Sequence, residues 1–135
     1  MSNDDAHRPF AIVINGEKII DHDRSKRLTG LQRRFLDQMD QKMDGGIRLG
    51  GEQIDDPDPM QRAQFVANTL MTALDDDNEA LAAACCSYLA RRLPKLQQVR
   101  ARKTDDGPTM IELVFDRSYE QASIEKPVQF TKKPT

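Results

Sequence analysis

The sequence predicts an α+β fold in which two β-hairpins form a short antiparallel sheet and three helices pack on one of its faces, in the order ββ-ααα-ββ. Three observations carry that expectation. Asn15-Gly16 stands between two β-rich runs, three amphipathic stretches follow, and two further β-rich runs flank Asp105-Asp106-Gly107-Pro108. At 135 residues the chain has the size of one domain. It divides into a flexible leader over 1–9, a body over 10–116 and a tail over 117–135.

Phe10 to Ile14 is apolar, and Glu17 to Ile20 resumes the strand composition after Asn15-Gly16. Asn-Gly suits a type I′ turn, which needs positive φ at both central residues. A two-residue loop pairs Ile12 with Ile19 and Ile14 with Glu17, so Phe10, Ile12, Ile14 and Ile19 share a core face. Thr29 and Gln32 then have capping-box spacing. Leu28, Leu31, Phe35, Leu36, Met39 and Met43 fall on one side of a helix over Gly30 to Asp44, and Gly45 stops it in a left-handed conformation.

The Gly-rich stretch Gly45 to Pro57 is read as a connection, with a short added strand as an option. Asp58 caps a second helix with Pro59 in its first position. Its stripe is Met60, Ala63, Val66, Ala67, Leu70, Met71 and Leu74. After the break at Asp75 to Asn78, Asp76 and Glu79 offer another capping box. A third helix runs to about Leu93, carrying Leu81, Ala84, Cys85, Tyr88 and Leu89, and Pro94 closes it.

Gln97 to Lys103 and Thr109 to Asp116 make the second hairpin. Side-chain alternation pairs Val99 with Phe115, Ala101 with Leu113 and Arg102 with Glu112 across a three-residue loop, with Gly107 left-handed. Residues 128–131 suggest an edge strand within the tail.

Lys plus Arg total 20 and Asp plus Glu total 22, a near-neutral balance that gives no global attraction to nucleic acid or an anionic membrane. No secretory signal follows Met1, and uncharged stretches such as Ala80 to Ala90 fall far short of the roughly 20 residues of a membrane span. These features predict a soluble cytoplasmic protein. Adjacent Cys85 and Cys86 are too cramped for an ordinary disulfide and have no CxxC spacing. Both read as small apolar residues of an Ala-rich helix rather than redox sensors.

The motif inventory favours no enzyme. Gly45 and Gly50 have P-loop spacing, but Gly51 stands where the phosphate-binding lysine belongs. There is no dinucleotide fingerprint, HExxH, nucleophile elbow or EF-hand loop. His7 lies in the leader. His22, in Asp21-His22-Asp23, reads as a loop residue whose neighbours diverge, so no metal or cofactor is expected. The acidic runs read as helix caps rather than calcium ligands.

Two segments remain as candidate binding sites. Arg91, Arg92, Lys95, Arg100, Arg102 and Lys103 form a basic cluster suited to phosphates or acidic surface, although Glu112 and Asp116 share the strand face of Arg100 and Arg102. Gly45, Gly46, Arg48, Gly50 and Gly51 lie in a long connection of the kind that often binds ligands. The expected function is a small non-catalytic interaction or regulatory module, with self-association into a homodimer or a protein partner as its mode. Nucleic-acid binding through the basic cluster is the second reading, and a small-ligand or enzyme site at the 45–57 loop the third.

Overall fold

The computed structural model describes residues 10–107 and 109–121. The leader and the 128–131 edge strand expected from the sequence lie outside the described residues. The architecture is mixed α+β, with helices and two small sheets. The described elements are β1 (Phe10–Ile14), β2 (Glu17–His22), α1 (Gly30–Asp44), β3 (Ile47–Leu49), β4 (Glu52–Ile54), α2 (Pro59–Asp75), α3 (Glu79–Arg92), β5 (Gln98–Arg102) and β6 (Met110–Val114). The order is ββ-α-ββ-αα-ββ, so a third hairpin interrupts the expected ββ-ααα-ββ series. The chain divides into two compact units, one of residues up to Asp23 and from Lys95 on, the other Arg24–Pro94.

The first unit is a four-stranded sheet in the order β2-β1-β5-β6. It is not wholly antiparallel: β1 and β5, its two central strands, run parallel, with Ala11 opposite Gln98 and Val13 opposite Arg100. A central strand is buried on both faces, and Phe10, Ala11, Ile12 and Val13 are all buried, as their continuous apolar run requires. Asn15 and Gly16 turn with φ of +51° and +86°, the predicted Asn-Gly geometry.

Registers differ from the sequence expectation in both hairpins. A bulge after Ile12 pairs it with Ile20 rather than Ile19, while Ile14 does oppose Glu17. Ile19 is thereby turned out, 48% exposed. In the second hairpin Val99 opposes Leu113, Ala101 opposes Ile111, and Arg100, not Arg102, opposes Glu112. The loop over 103–109 is longer than the expected three residues. Gly107 keeps an ordinary backbone and donates its amide to the Thr104 hydroxyl, which replaces the expected left-handed turn.

The segment after β6 returns across one face of this sheet. Gln98, fully buried, donates to the Arg117 carbonyl at 3.2 Å. Lys18 meets Glu120 at 2.9 Å and lies over the Tyr119 ring. Ser118 and Gln121 exchange side-chain and backbone hydrogen bonds as a capping box.

The second unit holds α1 to α3 and the β3-β4 hairpin. Thr29 and Gln32 form the predicted capping box of α1. Asp58 caps α2 with Pro59 in its first turn, and Gln61 completes a box there too. The cap of α3 is Asn78, not Asp76, and accepts from the Leu81 amide. Asp76 instead ends α2, and Asp77 takes φ of +56° between the helices.

The left-handed stop after α1 is Gly46, at φ +108°, rather than Gly45 at −81°. Gly50 and Gly51, both at positive φ, form the two-residue β3-β4 turn. Arg24 is buried and donates to the Leu93 carbonyl at the C-cap of α3, where a cation offsets the exposed carbonyls.

Candidate functional site

The apolar stripe of α1 is only half used. Leu36 and Met43 are buried, but Leu31 is 72% and Phe35 41% exposed. At 100° per residue, Leu31 and Phe35 stand roughly a right angle away from the direction of Leu36 and Met43. They border a groove of about 440 Å³ between α1 and α3, floored by Ala80, Ala83 and Ala84. The alanines leave room where larger side chains would have closed the gap.

The opposite side of α1 carries its carboxylates, and all three are paired. Arg62 of α2 reaches Asp44 at 2.6 Å and Asp40 at 3.3 Å. Arg92 of α3 reaches Asp40 at 3.0 Å and Asp37 at 3.1 Å, and stacks over the Tyr88 ring. The Tyr88 hydroxyl donates to Asp40 as well. Burial pushes the Asp40 carboxyl up, but the bonds from Tyr88, Arg92 and Arg62 outweigh it and hold the group below its ordinary value. Burial, then the Asp40 carboxylate, pushes Tyr88 well above the usual tyrosine range.

The predicted basic cluster is divided between the two units. Arg91 and Arg92 end α3, and Arg92 is neutralised by Asp37 and Asp40. Lys95, Arg100, Arg102 and Lys103 belong to the sheet unit. There Arg100 and Arg102, with Asn15, Met110 and Glu112, line a recess of about 250 Å³ beside the Asn15-Gly16 turn. Arg100 is half-buried and donates to the Gln98 side chain at 2.7 Å. It lies opposite Glu112 in the ladder, and among the described residues neither it nor Arg102, the expected partner of Glu112, forms an ion pair with that carboxylate. The Lys103 amide donates to Asn15 Oδ1, fixing the strand end at that turn.

The Gly-rich candidate is largely absorbed into a tight hairpin. Ile47 is buried, Arg48 donates to the Gly51 carbonyl, and neither cavity described above is lined by Gly45, Gly46, Arg48, Gly50 or Gly51. Cys85 and Cys86 are buried free thiols, and burial pushes each up to about 12. That protonation state is inert. The His22 ring packs edge-on against Phe10. Among the described residues no three His, Cys, Asp or Glu side chains converge as a metal site, and no helix is long and apolar enough to cross a membrane.

Sequence periodicity assigns Leu31 and Phe35 to the core and so misses the groove. The available signal is the width of the stripe: Leu31 to Met43 covers more of the helix than one packed neighbour buries. Comparison with known proteins finds no matching family model, no matching curated protein and no matching solved structure.

Proposed function

We propose that this chain is an interaction module without catalytic chemistry of its own, and that it docks a protein partner in the groove between α1 and α3. The observation that carries the reading is the exposure of Leu31 and Phe35 over an alanine floor. Leaving these two side chains partly in water forgoes on the order of 1 kcal/mol each relative to full burial. A groove between two helices is also the ordinary receptor for the apolar face of a third.

Nucleic-acid binding is the second reading, supported by Arg100 and Arg102, which line a recess and, among the described residues, form no ion pair. Two observations weigh against it. Arg92 is engaged by Asp37 and Asp40, and Glu112 adds negative charge to the same recess. No observation favours a ligand or enzyme site at the 45–57 loop over these two.

The test is affinity capture from native cells with three baits: the wild-type chain, Leu31→Ser with Phe35→Ser, and Arg100→Glu with Arg102→Glu, each with and without nuclease. The docking reading expects a protein retained by the wild type and by the arginine variant, lost from the Leu31/Phe35 variant, and insensitive to nuclease. Nuclease-sensitive retention that depends on Arg100 and Arg102 would replace it with the second reading. Light scattering on the purified chain identifies a homodimer, the self-association form of the same reading.

A further inference from the structure

We infer that the occupant of the α1–α3 groove is an acidic amphipathic helix of another protein, its flanking carboxylates set against Arg34, Lys42 and Arg91. The inference rests on the docking reading above and adds the chemistry of the partner.

The carboxylates of α1 are confined to one side of the helix. Asp37, Asp40 and Asp44 lie on the side tied to Arg62 and Arg92. The groove side carries cations instead. Arg34 lines the groove directly. Lys42 follows Phe35 by seven residues and Gln38 by four, and Arg91 follows Ser87 by four, so both extend the rows of groove-lining residues. All three are exposed, and among the described residues none has an ion-pair partner. The groove is thus an apolar trough whose rim carries three unpartnered cations against one exposed carboxylate, Glu79, which precedes Ala83 by four.

Its length fits a short helix. Leu31 to Lys42 spans about 16 Å at 1.5 Å per residue, room for roughly three turns of partner. A partner with apolar residues at i, i+3, i+4 and i+7 sets them against Leu31 and Phe35 while its flanks meet the rim. A second copy is the poorer occupant. Two grooves joined by a two-fold axis bring Arg34 and Lys42 towards their own counterparts, with no carboxylate of α1 on that face to relieve them.

The test uses the full ¹⁵N-labelled chain and two synthetic helical peptides with the same leucine stripe, one flanked by Glu and the other by Lys. The Glu peptide is expected to shift the amides of Leu31, Phe35, Ala83 and Ser87, with affinity that falls as salt rises. Arg34→Glu with Lys42→Glu and Arg91→Glu should weaken the Glu peptide roughly tenfold and move the preference to the Lys peptide. A salt titration of the wild type with the Glu peptide probes the same charge complementarity without that variant, and an affinity unchanged by salt counts against it. Equal binding of both peptides, or preference of the wild type for the Lys peptide, overturns the acidic assignment and leaves the docking reading standing. If neither peptide moves the groove amides, both the assignment and the docking reading fail.

Discussion

Asp40 on α1 accepts a hydrogen bond from the Tyr88 hydroxyl on α3, and the same carboxylate also receives Arg92 of α3 and Arg62 of α2. One side chain therefore ties three helices together on the side of α1 away from the groove. Hydrogen bonds to a charged group contribute more than neutral ones, and removing the acceptor leaves the Tyr88 hydroxyl without its partner while Arg62 keeps Asp44 and Arg92 keeps Asp37. Asp40→Ala should cost about 1–3 kcal/mol in chemical denaturation. Asp37→Ala, which removes one exposed contact to Arg92, should cost well under about 1 kcal/mol.

The same carboxylate sets a pH dependence. Asp40 lies below its ordinary value of 3.8 in the folded chain, so folding favours its ionised form. That contribution is complete above the unfolded value and is lost as pH falls from there through the depressed folded value. Stability measured by urea denaturation should therefore fall with acid in that window, and Asp40→Asn should flatten this part of the curve.

The two glycines after α1 should respond unequally to substitution. A Cβ at Gly46 would sit 2.6 Å from Gln53 Nε2 and 3.2 Å from the Ile54 carbonyl oxygen, at a φ of +108°. Gly46→Ala should cost about 1–3 kcal/mol, because neither backbone nor space accommodates it. At Gly45 the nearest atom is 3.7 Å away and φ is ordinary, so Gly45→Ala should lie within about 0.5 kcal/mol of the wild type in the same melt.

The bulge in β1-β2 separates two isoleucines that the sequence places on one face. Ile12 is fully buried, and Ile12→Ala should cost about 3 kcal/mol. Ile19 is turned to solvent, and Ile19→Thr should change stability by less than about 0.5 kcal/mol. Equal losses at the two positions would contradict the bulged register.

Burial also governs the cysteines. Neither thiol should react appreciably with a disulfide reagent at neutral pH in the native state, and both should react at once in guanidinium chloride. Fast native reaction of either would place it at the surface.

What the sequence disclosed was local. Helix boundaries follow from Thr29, Asp58 and Pro59, because caps act over three or four residues. The Asn15-Gly16 turn is equally legible. Pairing of β1 with β5 is not, since the two strands lie far apart along the chain and parallel pairing leaves no turn signature. Register fails wherever a bulge or a longer loop intervenes: period-two alternation fixes the face but not a slip of two, which is why alternation sets Arg102 against Glu112 in place of Arg100. The Ser118–Gln121 capping box is visible as a spacing, but little apolar pattern accompanies it to mark a helix. The groove is hidden for a deeper reason. Helical periodicity reports that Leu31 and Phe35 are apolar and adjacent, but not whether this chain or another covers them.

The most direct measurement of the central claim is a photocrosslinking side chain introduced at Phe35 and, separately, at Arg102, in cells. The docking account expects the Phe35 position to capture one dominant protein, with the adduct abolished when Leu31→Ser is added to the same chain. No adduct at Phe35, together with nucleic acid captured at Arg102, would contradict it.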